Sequence, residues 1–119
     1  MAWDVEFTEE VESWWNSLSE EEQGAVDAKV RLLSEFGPNL GRPNADSLAK
    51  MSKHPNLKEL RVQYSGNPYR ILFAFDPRRI AILLLGDRKP DQNWYTSAIA
   101  KADRLYDEHL DELGKEGVH

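Results

Sequence analysis

Cysteine is absent from this chain of 119 residues, so disulfide bonds, zinc–thiolate sites and a thiol nucleophile are excluded. A chain without cysteine suits a reducing compartment, and we expect a cytoplasmic protein. The first ten residues hold four acidic side chains and no lysine or arginine, so the sequence predicts no secretory signal. The longest apolar run, Ile80 to Leu85, is far too short for a membrane-spanning helix, and no membrane partner is expected.

Sequence features that usually bind cofactors or metals are also scarce. The seven glycines are isolated from one another, so the sequence has no glycine-rich phosphate loop. The three histidines, His54, His109 and His119, lack the spacing of metal ligands, and no nucleophile elbow supports Ser-His-Asp catalysis. We therefore expect no metal and no cofactor.

Charge is distributed unevenly along the chain, whose formal net charge is −6. Residues 1–46 hold 3 Lys or Arg against 11 Asp or Glu, residues 47–104 hold 11 against 5, and residues 105–119 hold 1 against 5. The basic middle suits phosphate groups, whereas the acidic helices predicted over 8–36 and the acidic tail are candidates for contact with a basic partner. The alternative is that the acidic and basic segments pair only with each other.

Local signals in the N-terminal third predict a strand followed by two helices. Apolar and acidic residues alternate over 3–7, as in a strand with one solvent-facing side. Thr8 is placed to cap a short helix, and Ser19 with Glu22 forms a capping box that begins a second helix. Gly37, followed by proline, ends that helix because glycine readily adopts a left-handed conformation.

The rest of the chain predicts a loop, three strands and a long helix. The predicted ranges are a loop over 38–56 with room for a helical turn at 46–51, strands at 59–64, 69–75 and 80–85, and a helix at about 94–113 with a tail at 114–119. The continuous apolar run of the third strand is typical of a central strand buried on both faces. The prediction is one α+β domain over 1–119, with order β-α-α-β-β-β-α and helices packed on a small antiparallel sheet.

Cations lie on or at the ends of the three predicted strands. Arg61 and Arg70 occupy the polar register of neighbouring strands, where antiparallel pairing can bring them to one face. Guanidinium groups bind phosphate through paired hydrogen bonds and stabilise the charge that develops on a phosphorane. The full set of cations is Lys58, Arg61, Arg70, Arg88 and Lys89.

Three further side chains complete a candidate site for metal-free RNA cleavage. Such cleavage needs a base for the 2′-hydroxyl and an acid for the leaving 5′-oxygen, and His54 and Tyr95 are the candidates. Trp94 and Tyr95 are also able to stack on an unpaired base. Each residue has a plainer interpretation: the arginines as solubilising cations, His54 as a turn residue, and Tyr95 and Trp94 as core.

The chain resembles the RelE/HigB superfamily of type II toxins, in particular its phage-derived HigB-like branch. The resemblance spans most of residues 54–113. It lies in Leu57-Lys58-Glu59-Leu60-Arg61, in the stretch from Pro68 to Pro77 that contains YRILFAFD, in Ala81-Ile82-Leu83-Leu84, and in the stretch from Ala102 to Leu110 that contains LYDEHL.

The resemblance implies a metal-independent endoribonuclease that enters the ribosome, cleaves mRNA and inhibits translation. It also implies a cognate helix-turn-helix antitoxin of the HigA type, which inactivates the toxin and connects it to operator DNA. Carried over from the family, the catalytic positions are Arg61, Arg70, Arg88, Tyr95 and His54, and the RNA-binding positions are Lys58, Lys89 and Trp94.

Glu59 departs from the family pattern, because relatives of the RelE type can carry a basic residue there. The departure lowers the cationic density and leaves the general base unassigned. Two other functions therefore stay open: a gyrase-inhibiting toxin of the related ParE type, and an interaction module with the toxin fold but without nuclease activity.

Overall fold

The computed structural model describes residues 2–88 and 90–118, and its α+β architecture confirms the predicted fold class. One five-stranded sheet packs against two helices on one face and a third helix on the other. The elements are β1 (Val5–Phe7), α1 (Glu9–Asn16), α2 (Glu20–Phe36), a 3₁₀ turn (Gly37–Asn39), β2 (Ala45–Ser47), β3 (Lys58–Tyr64), β4 (Asn67–Phe75), β5 (Ala81–Arg88) and α3 (Gln92–Lys115).

The sheet has the order β1-β5-β4-β3-β2 and differs from the prediction at both edges. At one edge β1 pairs in parallel with β5, so the sheet is mixed. The long connection that a parallel pair requires runs through α1, α2 and the other three strands. At the other edge, Ala45–Ser47 forms the short strand β2 antiparallel to β3, where the sequence suggests a helical turn. The backbone N–H of Arg61 donates to the carbonyl of Asn44 at 2.8 Å, which extends this edge pairing.

Strand alternation divides the apolar residues of the sheet between two cores. One core packs against α1 and α2 and includes, from the sheet, Leu60, Val62, Tyr69, Ile71, Phe73, Ala81 and Leu83. The other packs against α3 and includes Leu57, Leu72, Ala74, Ile82 and Leu84. β5 contributes to both cores, as predicted for a strand buried on both faces.

The predicted helix caps are present in the structure. The Thr8 hydroxyl accepts from the N–H of Val11 at 3.2 Å, and both hydrogen bonds of the Ser19–Glu22 capping box are formed. Gly37 ends α2 with a φ of +59°, a left-handed value that favours glycine. At α3 the N-cap is Asp91, so this helix begins at Gln92, slightly before the predicted start.

Close packing of α1 on β5 predicts that Gly86→Ala is destabilising. A β-carbon at Gly86 would lie 2.5 Å from Cε3 of the Trp14 indole, a rigid ring. We expect the free energy of unfolding, measured with urea, to fall by about 1–3 kcal/mol, as for other overpacked sites. Gly24→Ala is the matched control: its β-carbon meets nothing within 4 Å, and alanine in an exposed helix should stabilise. Wild-type stability in Gly86→Ala would contradict this account of the α1–β5 contact.

Candidate active site

Arg61 and Arg70 lie side by side on the α3 face of the sheet. The register of β3 and β4 places the two arginines directly opposite each other. Opposite residues in antiparallel strands project to the same face, so the two guanidiniums converge as the hairpin pattern predicts. The Arg61 side chain is 37% exposed and that of Arg70 is 18% exposed.

The buried side chain of Glu59 contacts both of these arginines. Its side chain is only 5% exposed, and its Oε1 accepts the hydroxyl hydrogen of Tyr95 at 2.5 Å. Arg70 Nε lies 3.3 Å from Oε1, and Arg61 Nη2 lies 3.6 Å from Oε2. We call Glu59, Arg61, Arg70 and Tyr95 the Glu59 cluster.

The hydroxyl of Tyr95 is held in its neutral form. Burial, followed by the hydrogen bond to Glu59 and the charge of that carboxylate, raises the pKa of Tyr95 to about 12. The phenol is therefore protonated at neutral pH and donates its hydrogen to Glu59. A phenol in this position can pass its own proton to the carboxylate when its oxygen accepts another.

A second ion pair borders the Glu59 cluster. Arg42 donates to Asp46 Oδ2 through Nε at 3.0 Å and Nη2 at 2.8 Å, and Arg61 Nη2 lies 3.9 Å from the same oxygen. The hydrogen bond from Arg42 is the main reason that the pKa of Asp46 lies below its usual value. These ion pairs join three arginines to two carboxylates, which leaves one positive charge in excess.

The two arginines of the cluster are partly exposed, but their Nε–H groups are buried. Within residues 2–88 and 90–118, the buried Nε–H groups of Arg61 and Arg70 have no hydrogen-bond partner. Arg70 Nε is buried against Glu59, and Arg61 approaches Glu59 through Nη2, so an anion would meet the exposed parts of the two guanidiniums rather than these Nε–H groups.

Trp94 borders the same site from the first turn of α3. Its ring packs edge-to-face on Tyr95, with 5.0 Å between the ring centroids. The structure thus brings together four of the predicted residues: Arg61, Arg70, Tyr95 and Trp94.

Arg88, named above as a catalytic position, lies on the other face of the sheet and so does not join Arg61 and Arg70. Arg88 is opposite Tyr69 in the β4–β5 register, and alternation sends its side chain toward α2. There Arg88 Nη1 donates to Glu22 Oε2 at 3.1 Å, and the Tyr69 hydroxyl donates to the same oxygen at 2.6 Å.

His54 is docked at the far end of α3 from the Glu59 cluster. Its Nε2 lies 2.8 Å from Asp107 Oδ1, and its ring packs edge-to-face on Tyr106. Asp107 follows Tyr95 by twelve residues in α3, which corresponds to about 18 Å of helix. This distance separates His54 from the site, and its contacts are those of a residue that anchors the preceding loop.

Of the two predicted RNA-binding lysines, the structure describes only Lys58, which does not extend the site. Lys58 is opposite Phe73 and faces the α1–α2 side, where its Nζ donates to the carbonyl of Pro38 at 3.2 Å. Lys89 lies outside the described residues. In the parts of the chain that the structure describes, no three acidic, histidine or cysteine side chains are grouped to hold a metal ion, and no helix is long and apolar enough to cross a membrane.

Two parts of the site are not identified by sequence reasoning. In the sequence, Glu59 appears only to lower the positive charge of the site. Its position two residues before Arg61 nevertheless predicts that the two side chains share a strand face. Arg42 and Asp46 lie in a segment without a clear pattern, and the antiparallel pairing of β2 with β3 brings them to the cluster.

The contacts of Glu22 predict a stability contribution that depends on pH. The backbone N–H of Ser19, followed by the Tyr69 hydroxyl, lowers the pKa of Glu22 from 4.5 to about 2. A carboxyl with a depressed folded-state pKa stabilises the fold above its unfolded pKa, and this contribution is lost as the pH falls toward the folded value. We expect Glu22→Gln to be less stable than wild type at neutral pH, with a difference that shrinks from about pH 5 to about pH 2.

Urea unfolding across this pH range is the measurement, and Glu21→Gln, exposed in the same helical turn, is the control. A stability difference between Glu22→Gln and wild type that stays constant with pH would contradict the expectation.

Comparison with known proteins agrees with the fold and with the sequence resemblance. The family model "Phage derived protein Gp49-like (DUF891)" matches residues 13–107. The chain is 42% identical over 105 residues to HigB2 of Mycobacterium tuberculosis (strain ATCC 25618 / H37Rv), across 86% of this chain and 52% of HigB2. It is 43% identical over 97 residues to HigB3 of the same strain, across 80% of this chain and 82% of HigB3. Both relatives are named as toxins, and the chain spans about half the length of the first.

A solved structure shares the fold. A double arginine-to-alanine mutant of the E. coli toxin RelE, in the free state, matches with a TM-score of 0.56 and 18% identity, over 94% of this chain and 98% of that chain. The family match covers most of the chain, and two HigB relatives align with it at more than 40% identity. The chain therefore belongs to the phage-derived Gp49-like family, within the RelE/HigB superfamily of type II toxins.

Proposed function

We propose that this chain is the toxin of a type II toxin–antitoxin pair and a metal-independent endoribonuclease that cleaves mRNA on the ribosome. The observation that carries the nuclease proposal is the Glu59 cluster, in which two arginines and a neutral tyrosine surround one buried carboxylate. The superfamily supports the toxin role and an antitoxin partner. A HigA-like helix-turn-helix antitoxin, bound to operator DNA, completes the proposal, which places the toxin with ribosomes in the cytoplasm.

Arg61 and Arg70 would hold the scissile phosphate. Their side-by-side placement on neighbouring strands offers the exposed parts of two guanidiniums to one phosphodiester. Negative charge grows on the non-bridging oxygens as the phosphorane forms, so two fixed cations stabilise the transition state more than the ground state.

Tyr95 and Glu59 would remove the proton of the 2′-hydroxyl. That proton passes to the Tyr95 oxygen while the phenolic proton passes to Glu59, so the tyrosine stays neutral and the carboxylate becomes protonated. The 2′-oxygen attacks phosphorus and the bond to the 5′-oxygen breaks. Water protonates the leaving 5′-oxygen, and the hydroxide that forms takes the proton from Glu59, which restores the carboxylate. The products are a 2′,3′-cyclic phosphate and a 5′-hydroxyl end.

Trp94 would position the RNA by stacking. Its ring borders Tyr95 at the edge of the cluster, and an aromatic ring stacks on any base with little sequence preference. A base held there would place its neighbouring phosphate next to the two arginines.

One observation favours a second function, a toxin-fold interaction module without nuclease activity. Glu59 contacts both arginines, so part of their positive charge is already compensated before RNA arrives. In this alternative Glu59 restrains the arginines and takes no part in proton transfer. The two roles of Glu59 give opposite outcomes when its charge is removed.

Removal of either arginine tests the phosphate-binding role. We expect Arg61→Ala and Arg70→Ala each to lower mRNA cleavage by about 10²–10³-fold, as for lost transition-state contacts, and to relieve growth arrest. Cleavage is measured with purified ribosomes and mRNA by mapping new 5′-ends. Arg104→Ala, at an exposed position of α3, is the matched control, and His54→Ala should cleave like wild type when folded.

Full growth arrest in the Arg61→Ala/Arg70→Ala double variant would contradict the nuclease proposal. DNA breaks with intact mRNA would then identify the ParE-like gyrase-inhibiting toxin. Harmless expression of wild type would identify the interaction module.

Paired variants test the proton relay. Tyr95→Phe keeps the aromatic ring but removes the hydroxyl, and Glu59→Gln keeps the size but removes the base. Both should slow cleavage by about 10²-fold or more, the usual contribution of general base catalysis. If Glu59 serves only to restrain the arginines, Glu59→Gln will bind RNA more tightly and will show no loss of cleavage relative to wild type. Thermal unfolding of each variant checks that the loss is not a loss of fold.

A further inference from the structure

An apolar groove lies on the face of the sheet opposite the Glu59 cluster. It has a volume of about 380 Å³ and runs between β1, α1 and α2, with the sheet as its floor. The apolar lining includes Val5, Phe7, Val11, Trp14, Trp15 and Val30. Phe7 is 59% exposed, so the apolar lining of the groove extends to a ring that faces solvent.

The borders of this groove are acidic. Glu12 of α1 and Asp27 of α2 line it directly, and the first turn of α1 adds Glu9 and Glu10. α1 contains no lysine or arginine, whereas on α2 the charge of Asp27 is compensated by Arg31 at 2.8 Å, so the excess negative charge of the rim comes from α1. The groove therefore combines exposed apolar surface with a negative rim.

We propose that this groove binds a segment of the antitoxin that presents apolar side chains flanked by lysines or arginines. The apolar side chains would fill the space beside Phe7 and Trp15, and the cations would lie against Glu12 and Asp27. The inference rests on the toxin role proposed above but not on the nuclease chemistry. Within the acidic N-terminal segment, the proposal assigns this groove as the surface that contacts the antitoxin.

Charge complementarity favours this partner over a second copy of the chain. Two copies that met through this groove would bring two acidic rims together, and like charges at an interface are unfavourable. A basic segment gains attraction from the same rim, and its apolar residues remove Phe7 from water.

The groove and the Glu59 cluster lie on opposite faces of the sheet, so antitoxin binding and toxicity should be separable by mutation. Glu12 and Asp27 line the α1–α2 side, whereas Tyr95 reaches Glu59 from the α3 side. A segment seated in the groove leaves Arg61 and Arg70 uncovered, so it would inhibit by adding bulk that keeps the toxin off the ribosome.

The test measures binding to the purified antitoxin encoded by the gene next to the toxin gene. Two groove variants are used, Phe7→Ser and the double reversal Glu12→Lys/Asp27→Lys, both in an Arg70→Ala background so that toxin can be produced alone. Glu108→Lys/Glu112→Lys on exposed positions of α3 is the control with the same change in net charge. Titration calorimetry at low and high salt gives the dissociation constants.

We expect each groove variant to weaken binding by about tenfold or more, and the control by less than about twofold. The defect of the charge reversal should shrink at high salt, while that of Phe7→Ser should persist because apolar contact is not screened. In cells with Arg70 intact, groove variants should still arrest growth, and coexpressed antitoxin should no longer relieve the arrest. Continued arrest also shows that the variants fold.

Wild-type affinity in both groove variants would overturn the proposal, as would equal weakening by the control on α3. A dimer of the toxin alone that Phe7→Ser abolishes would show that a second copy occupies the groove, and would overturn it too. Failure of the nuclease proposal is distinguishable, because it would appear in the growth-arrest and mRNA-cleavage measurements and would leave the dissociation constant for the antitoxin unchanged.

Discussion

The hydrogen bond from Tyr95 to Glu59 fixes the first turn of α3 on β3, and the candidate site depends on it. Glu59 is 5% exposed, and a buried carboxylate without partners costs several kcal/mol. The Tyr95 hydroxyl and the guanidiniums of Arg61 and Arg70 are the partners of this carboxylate, so they offset the cost of its burial and are held in place by it. A site held in this way needs little reorganisation when charge develops on a substrate, which is the condition for electrostatic catalysis.

Strand alternation explains why the cations of the sheet fall into two groups. Arg61 and Arg70 face α3 because they are paired across β3 and β4, whereas Arg88 is opposite Tyr69 and faces α2. A shift of one residue in the pairing of β5 would exchange these faces. On the α2 side Arg88 joins Glu22 and Tyr69, where it helps to anchor the start of α2 on the sheet.

Sequence reasoning predicts what depends on near neighbours and misses what depends on distant contacts. The caps at Thr8 and Ser19 involve residues three positions apart, and the hairpin of β3 and β4 follows from alternation, so these features are predictable. The parallel pairing of β1 and the approach of Asp107 to His54 join residues more than fifty positions apart, and no local pattern encodes them. Glu59 is an intermediate case. Strand alternation predicts that it shares a face with Arg61, but it does not predict that the carboxylate is buried.

The far end of α3 shows why the LYDEHL stretch resembles the family without belonging to the site. Asp107 binds His54, and His109 Nε2 lies 2.8 Å from Asp76 Oδ2 in the turn between β4 and β5. Burial alone would raise the pKa of Asp76, but hydrogen bonds from His109 and Arg78 lower it below its usual value. These contacts fasten one end of α3 to the sheet while Tyr95 fastens the other. The helix is therefore held at both ends, and the geometry of the Glu59 cluster is a consequence of how the whole helix is docked.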